Sequence, residues 1–232
     1  MAVMKSRAGA TALMLTFALA GILLSAGAAI SAGGRTLAGT LVFAPGKLIH
    51  SGGKYIGVGT YFRMLEPGGT QYFQNPDGPA KNLTYTLLRP GTNKGLELGA
   101  YQAPPKTAFS STGNSLANRI TQPQPFAAIN FSISTAATDA QSHETVAAPT
   151  LRVKGTKITG NLSAWTAEWN KIYFNQGAPK PGGTYPGGTT PVTGTYNPKT
   201  KAFVVTWYSA IVGGPFNGFI GFWHLQGKLR AS

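Results

Sequence analysis

Glycine and proline cut this chain into short pieces, and that constrains its fold more than any other feature. There are 31 Gly and 16 Pro in 232 residues, spread along the whole length, and they are the two poorest residues for a helix interior. Between the interruptions lie short segments rich in Val, Ile, Thr, Tyr and Phe, which suit a pleated and half-buried surface. The spacing predicts strands over Thr36–Phe43, Lys54–Met64, Leu83–Arg89, Leu96–Tyr101, Ala127–Ser134, Lys157–Ala164, Val192–Tyr196, Ala202–Ile211 and Gly218–Leu229. Turn residues separate them, as in Glu66-Pro67-Gly68-Gly69 and Asn197-Pro198-Lys199-Thr200, where Pro presets φ and Gly or Asn accepts a left-handed backbone.

The expected class is all-β: a single antiparallel β-sandwich or closed β-barrel of about nine to eleven strands. The last forty residues carry the clearest alternation. Phe203, Val205, Trp207 and Ile211 share one face of a strand, and Phe219, Trp223, Leu225 and Leu229 share one face of the next, as a terminal meander requires. The series Gly194-Thr195-Tyr196, Trp207, then Trp223 and Leu225 resembles the closing strands of avidin-like barrels. It covers under a fifth of the chain, and no binding residue is carried over from it. Two stretches lack alternation. Pro104–Pro125 reads as an extended loop with a short helical turn around Ser115–Ile120, and Gln176–Pro191 as a second long loop.

The N-terminus has the layout of an export signal. Lys5 and Arg7 precede an uncharged apolar run from Ala10 to Leu24, and Ala26-Gly27-Ala28 and Ile30-Ser31-Ala32 are small-residue cleavage sites. Residues 1–32 are expected to be a signal peptide cleaved after Ala28 or Ala32. Residues 33–232 then remain as a single all-β domain, secreted or periplasmic, with no stable membrane span. Cysteine is absent, so lipid attachment as a bacterial lipoprotein, disulfides, thiol nucleophiles and thiolate metal sites are all excluded. Such a chain has to be held together by packing and backbone hydrogen bonds.

Twenty Lys and Arg oppose six Asp and Glu, a net charge of +14. Loss of Lys5 and Arg7 with the leader leaves +12. A field of that sign draws anionic partners, but the cations stand singly, without the basic run that marks a nucleic-acid arm. No specific nucleic acid is expected.

Catalytic motifs are sparse. Only His50, His143 and His224 are available as imidazole ligands, and none are spaced as neighbouring ligands on one element. Asp139, His143 and Glu144 form one local polar cluster, read as a solvated loop, and neither a metal nor a cofactor is expected. No G-x-S-x-G elbow or P-loop ending exists. Glycan hydrolysis needs two carboxylates flanking the scissile bond. Glu168, set between Trp165 and Trp169, is the best candidate acid, with Asp139 or Glu144 as its partner. Alternation places Glu168 opposite the tryptophans, exposed and paired with Lys171 or another cation.

Aromatic residues concentrate in the C-terminal third beside amides and cations, the combination that stacks on sugar rings and extended polymers. Trp165, Trp169, Asn170, Tyr173, Tyr208 and His224 are the candidate ligand residues. The function expected is an exported, non-catalytic protein that binds an envelope or extracellular polymer, an anionic polymer or glycan, through basic and aromatic surface residues, with an anionic or neutral polysaccharide of the cell envelope as its partner. The alternatives are a secreted glycan-active hydrolase and a small-ligand barrel of the lipocalin or avidin type. The last requires an apolar internal pocket.

Overall fold

The computed structural model describes residues 34–231; the expected leader and its two cleavage sites lie outside the described residues. In chain order the strands are β1 (Arg35–Thr36), β2 (Gly39–Phe43), β3 (Lys47–Ser51), β4 (Lys54–Val58), β5 (Tyr61–Leu65), β6 (Thr86–Leu87), β7 (Gly95–Leu98), β8 (Gln124–Phe126), β9 (Ile129–Thr135), β10 (Thr150–Lys154), β11 (Lys157–Asn161), β12 (Trp165–Trp169), β13 (Ile172–Asn175), β14 (Val192–Tyr196), β15 (Ala202–Ala210) and β16 (Ile220–Arg230). Strand accounts for 45% of the described residues and helix for 3%. Among the described residues the helix is confined to single 3-10 turns at Pro181–Gly183 and Gly214–Phe216, so none is long and apolar enough to cross a membrane.

Ten strands form one antiparallel sheet whose main path is β1-β10-β11-β14-β15-β16-β2-β7, with β5 also on β16 and β6 on β5. The eleven-residue β16 organises it. One edge pairs with β15 over the whole length of that strand, from Ala202↔Lys228 to Ala210↔Ile220. The other edge is shared, with β5 along Ile220 to His224 and β2 along Gly227 to Arg230. Gln226 fills the junction: its carbonyl accepts the Ala44 N–H (2.7 Å), and its side-chain oxygen accepts the Gly59 N–H (2.9 Å). Gly227 is required beside it, because a Cβ there would stand 1.9 Å from the Val42 carbonyl oxygen.

The sheet curls into a half-barrel, and a separate four-stranded sheet, β13-β12-β9-β8, packs against its inner face. Trp165 of the small sheet meets Trp207 and Trp223 of the large one edge to face, with centroids 5.5 and 5.4 Å apart. Phe62 and Phe131 meet across the same interface at 5.8 Å. One hydrophobic cluster runs from Leu37 to Leu229 and takes in both sheets, which gives a cysteine-free chain its cohesion. The remaining two strands, β3 and β4, pair only with each other.

Sixteen strands are described where about nine to eleven suit the sequence pattern. Several of the extra strands are only two to five residues long, and Lys54–Met64 breaks at Gly59 into β4 and β5. The helical turn expected around Ser115–Ile120 is absent. Ser115 instead donates its N–H to the Asn130 carbonyl (2.9 Å) and Leu116 to Ala108 (2.8 Å), so the loop lies extended against β9.

Candidate functional site

The outer face of the half-barrel carries an aromatic layer dictated by alternation. On β15 the residues opposite Phe203, Val205 and Trp207 are Val204, Thr206 and Tyr208. On β16 they are Phe222, His224 and Gln226, and on β5 Tyr61, Arg63 and Leu65. Register then sets rows across three strands: Tyr208 beside Phe222 beside Arg63, and Thr206 beside His224 beside Tyr61. Ring centroids are 4.8 Å apart for Tyr208 and Phe222, and 4.5 Å for Tyr61 and His224.

The segment after β5 folds back and supplies Tyr72 and Tyr85. The Arg63 guanidinium lies between them, 3.3 Å from the Tyr72 centroid and 4.5 Å from that of Tyr85, and donates to Thr84 Oγ1 (3.0 Å). Cation and rings attract through the ring quadrupole. Burial pushes the Tyr61 and Tyr72 hydroxyls up to about 12, and in Tyr72 a hydrogen bond with Tyr208 adds to the effect. These phenols therefore stay neutral beside the cation. His224 Nδ1 lies 2.8 Å from the Gly59 carbonyl. A carbonyl only accepts, so Nδ1 carries the proton and Nε2 is the acceptor in the neutral ring. Burial holds this imidazole below its ordinary range. Beyond His224 the same face opens into a shallow trough of about 540 Å³, lined by Val204, Gln226, Thr195, Tyr196 and Lys199 among others.

The six candidate ligand residues fall in four places. Tyr208 and His224 are half-buried members of the outer layer. Trp165 is 0% exposed and Trp169 8%. Both fill the core, with Trp169 Nε1 donating to the Phe126 carbonyl (2.7 Å), and neither indole has a face to offer a polymer. Asn170 is exposed in the β12–β13 turn at φ 49°. Tyr173 is half-buried on the outer side of the small sheet, against Phe109 (5.2 Å). Phe222, one of the C-terminal aromatics, belongs to the layer too, together with Tyr61, Arg63, Tyr72 and Tyr85, which the sequence pattern does not mark. The alternation of β5 against β16 was the available signal.

Glu168 corrects an expectation. It does face away from Trp165 and Trp169, yet it is 0% exposed, because the Phe109–Ile120 loop covers that face. Its carboxylate accepts from Ser115 Oγ (3.0 Å) and, closely, from Ser134 Oγ, with no bond to Lys171. Burial, partly offset by the two hydroxyls, raises its pKa. In this arrangement the carboxyl group touches no solvent from which a glycan could approach.

In the Asp139 cluster only Asp139 departs from the solvated-loop expectation. Asp139 is buried and accepts from Ser142 N (2.7 Å), Ser142 Oγ (2.9 Å) and Asn175 Nδ2 (2.7 Å), while His143 and Glu144 are exposed. Among the described residues no group of three or more His, Asp or Glu is placed to hold a metal ion. Close by, Lys180 Nζ donates to the backbone carbonyls of Asn175 and Ala210. Burial pushes it down to about 7, against a smaller opposing pull from Asp139.

Between the sheets lies an apolar void of about 40 Å³, lined by Phe62, Phe126, Phe131, Trp169 and Phe216 among others. Pockets for small ligands usually measure about 300–1,000 Å³, so this one holds no ligand of that size as it stands. Comparison with known families, curated proteins and solved structures found no match to this chain, and nothing in them extends the avidin-like rhythm of the closing strands.

Proposed function

We propose that this chain is an exported, non-catalytic β protein that binds an envelope or extracellular polymer, an anionic polymer or glycan, along the outer face of its half-barrel. Residues 1–32 act as a cleaved signal peptide, and residues 33–232 form one β-sandwich domain that works in the periplasm or outside the cell.

The observation that carries this reading is the row of Tyr208, Phe222 and Arg63 across three strands, continued by His224 and the trough at Gln226. Half-exposed rings give a polymer apolar faces to stack on, while Arg63, Gln226, Thr195 and Lys199 supply donors for hydroxyl or acidic groups. The chain's positive charge adds long-range attraction. Of the residues expected from sequence, the reading keeps Tyr208 and His224 as contacts.

The test is retention of the chain from Gly33 on immobilised anionic and neutral polysaccharides as salt is raised. Saturable, salt-resistant retention supports a stacking site. Retention that collapses with salt reduces the effect to charge, and no retention on any polymer removes the proposal.

A further inference from the structure

The β3–β4 hairpin is a second, independent surface. It joins neither larger sheet. Its inner face is set by Gly57, where a Cβ would collide with the Tyr85 ring at 2.4 Å, and Asn82 Nδ2 ties the Tyr55 carbonyl to the body at 2.9 Å. Alternation fixes what faces outward. The register pairs Lys47 with Val58, Ile49 with Ile56, and Ser51 with Lys54, and these three pairs share the face opposite Gly57 and Tyr55. Ile49 and Ile56 are 38% and 40% exposed, directly across from each other. The tip, Gly52-Gly53, has nothing within 4 Å of either position where a side chain would begin.

We infer that the outward face of this hairpin docks on an anionic phospholipid surface, with Ile49 and Ile56 entering the acyl boundary and Lys47 and Lys54 on the headgroups. Three features favour that occupant. Residues 47–58 contain no Asp or Glu, so nothing on the hairpin opposes a negative surface. The outward face has branched aliphatic tips and no aromatic plane, which a hydrocarbon boundary rewards and a polysaccharide does not. The two lysines stand at opposite ends of the isoleucine pair, where long stems let the ammonium groups reach headgroups while the apolar centre is buried. The inference does not rest on the polymer site, which uses a different face and different residues.

The chain from Gly33 carries every residue of the hydrophobic cluster and is the form to test, by co-sedimentation with phosphatidylcholine vesicles with and without phosphatidylglycerol. Binding is expected only with phosphatidylglycerol. Each lysine near an anionic leaflet strengthens binding roughly fivefold, so Lys47→Gln/Lys54→Gln is expected to weaken it by about tenfold or more. Ile49→Ser/Ile56→Ser should leave the low-salt component and lose the part that survives high salt. Since the chain has no cysteine, Ser51→Cys accepts a single environment-sensitive dye without disturbing the core. Its emission should shift to the blue on the anionic vesicles, while the same dye at Thr184→Cys should not shift. A wild type that ignores phosphatidylglycerol, an isoleucine variant that binds as the wild type does, or a dye at position 51 that stays in water while the protein is bound would each overturn the inference. So would binding to an anionic polysaccharide through the same isoleucines, without binding to vesicles.

Discussion

The imidazole of His224 lies flat on the ring of Tyr61, with centroids 4.5 Å apart and planes 7° from parallel. This contact joins β16 to β5 on the outer face, and burial there favours the neutral ring. The unfolded chain binds the proton more readily, so the contribution of His224 to stability is present above the ordinary histidine range and is lost as pH falls through its lowered folded value. An NMR titration should show its imidazole protonating below the ordinary histidine range. His224→Gln should flatten the acid limb of the stability curve.

Glu168 should behave in the opposite sense. Its folded pKa is raised, first by burial, so the folded state holds the proton longer than the unfolded one. Its contribution is therefore present below the ordinary carboxyl value and is lost as pH rises through the raised one. Glu168→Gln removes the charge and still bonds both serine hydroxyls, which can rotate to accept or donate. It should be neutral or stabilising at neutral pH in denaturant unfolding. Glu168→Ala strands Ser115 and Ser134 and should cost about 1–3 kcal/mol.

A second buried ionisable group, Lys180, sets the alkaline side. With the amine pushed from 10.5 to about 7, the unfolded chain binds more protons between those values. Stability should rise with pH across that window, by up to about 1.4 kcal/mol per pH unit. Lys180→Met should abolish that slope, measured as urea midpoints at several pH values.

Much of this architecture was legible where strands are long and one-sided. Val192–Tyr196 occupies its expected bounds, and Ala202–Ile211 and Gly218–Leu229 are within a residue or two of theirs. The short edge strand β6 lies inside the expected Leu83–Arg89, but β1 and β8 are not distinguishable in the sequence, because two or three residues carry too little alternation to mark an element. For Glu168, the alternation correctly gave the side of the strand. Whether a loop some fifty residues away covers that side is a long-range fact that local pattern does not contain. The aromatic layer is a similar case. Tyr208 and His224 stand out near the C-terminal tryptophans, but Arg63 and Tyr72 reach them only through the pairing of β5 with β16 and the fold-back after it.

The most direct test of the polymer site is the affinity of the Gly33-to-Ser232 chain for a retaining polysaccharide at high salt, compared with Tyr208→Ala and with Trp165→Phe. Loss of one stacking ring is expected to cost about 1–3 kcal/mol, by analogy with base stacking on aromatic side chains, or roughly five- to a hundredfold in affinity. Trp165, fully enclosed between the sheets, should leave affinity unchanged when replaced by Phe. Equal affinity of the wild type and Tyr208→Ala, or a loss specific to Trp165→Phe in a protein of unchanged fold, would contradict the account.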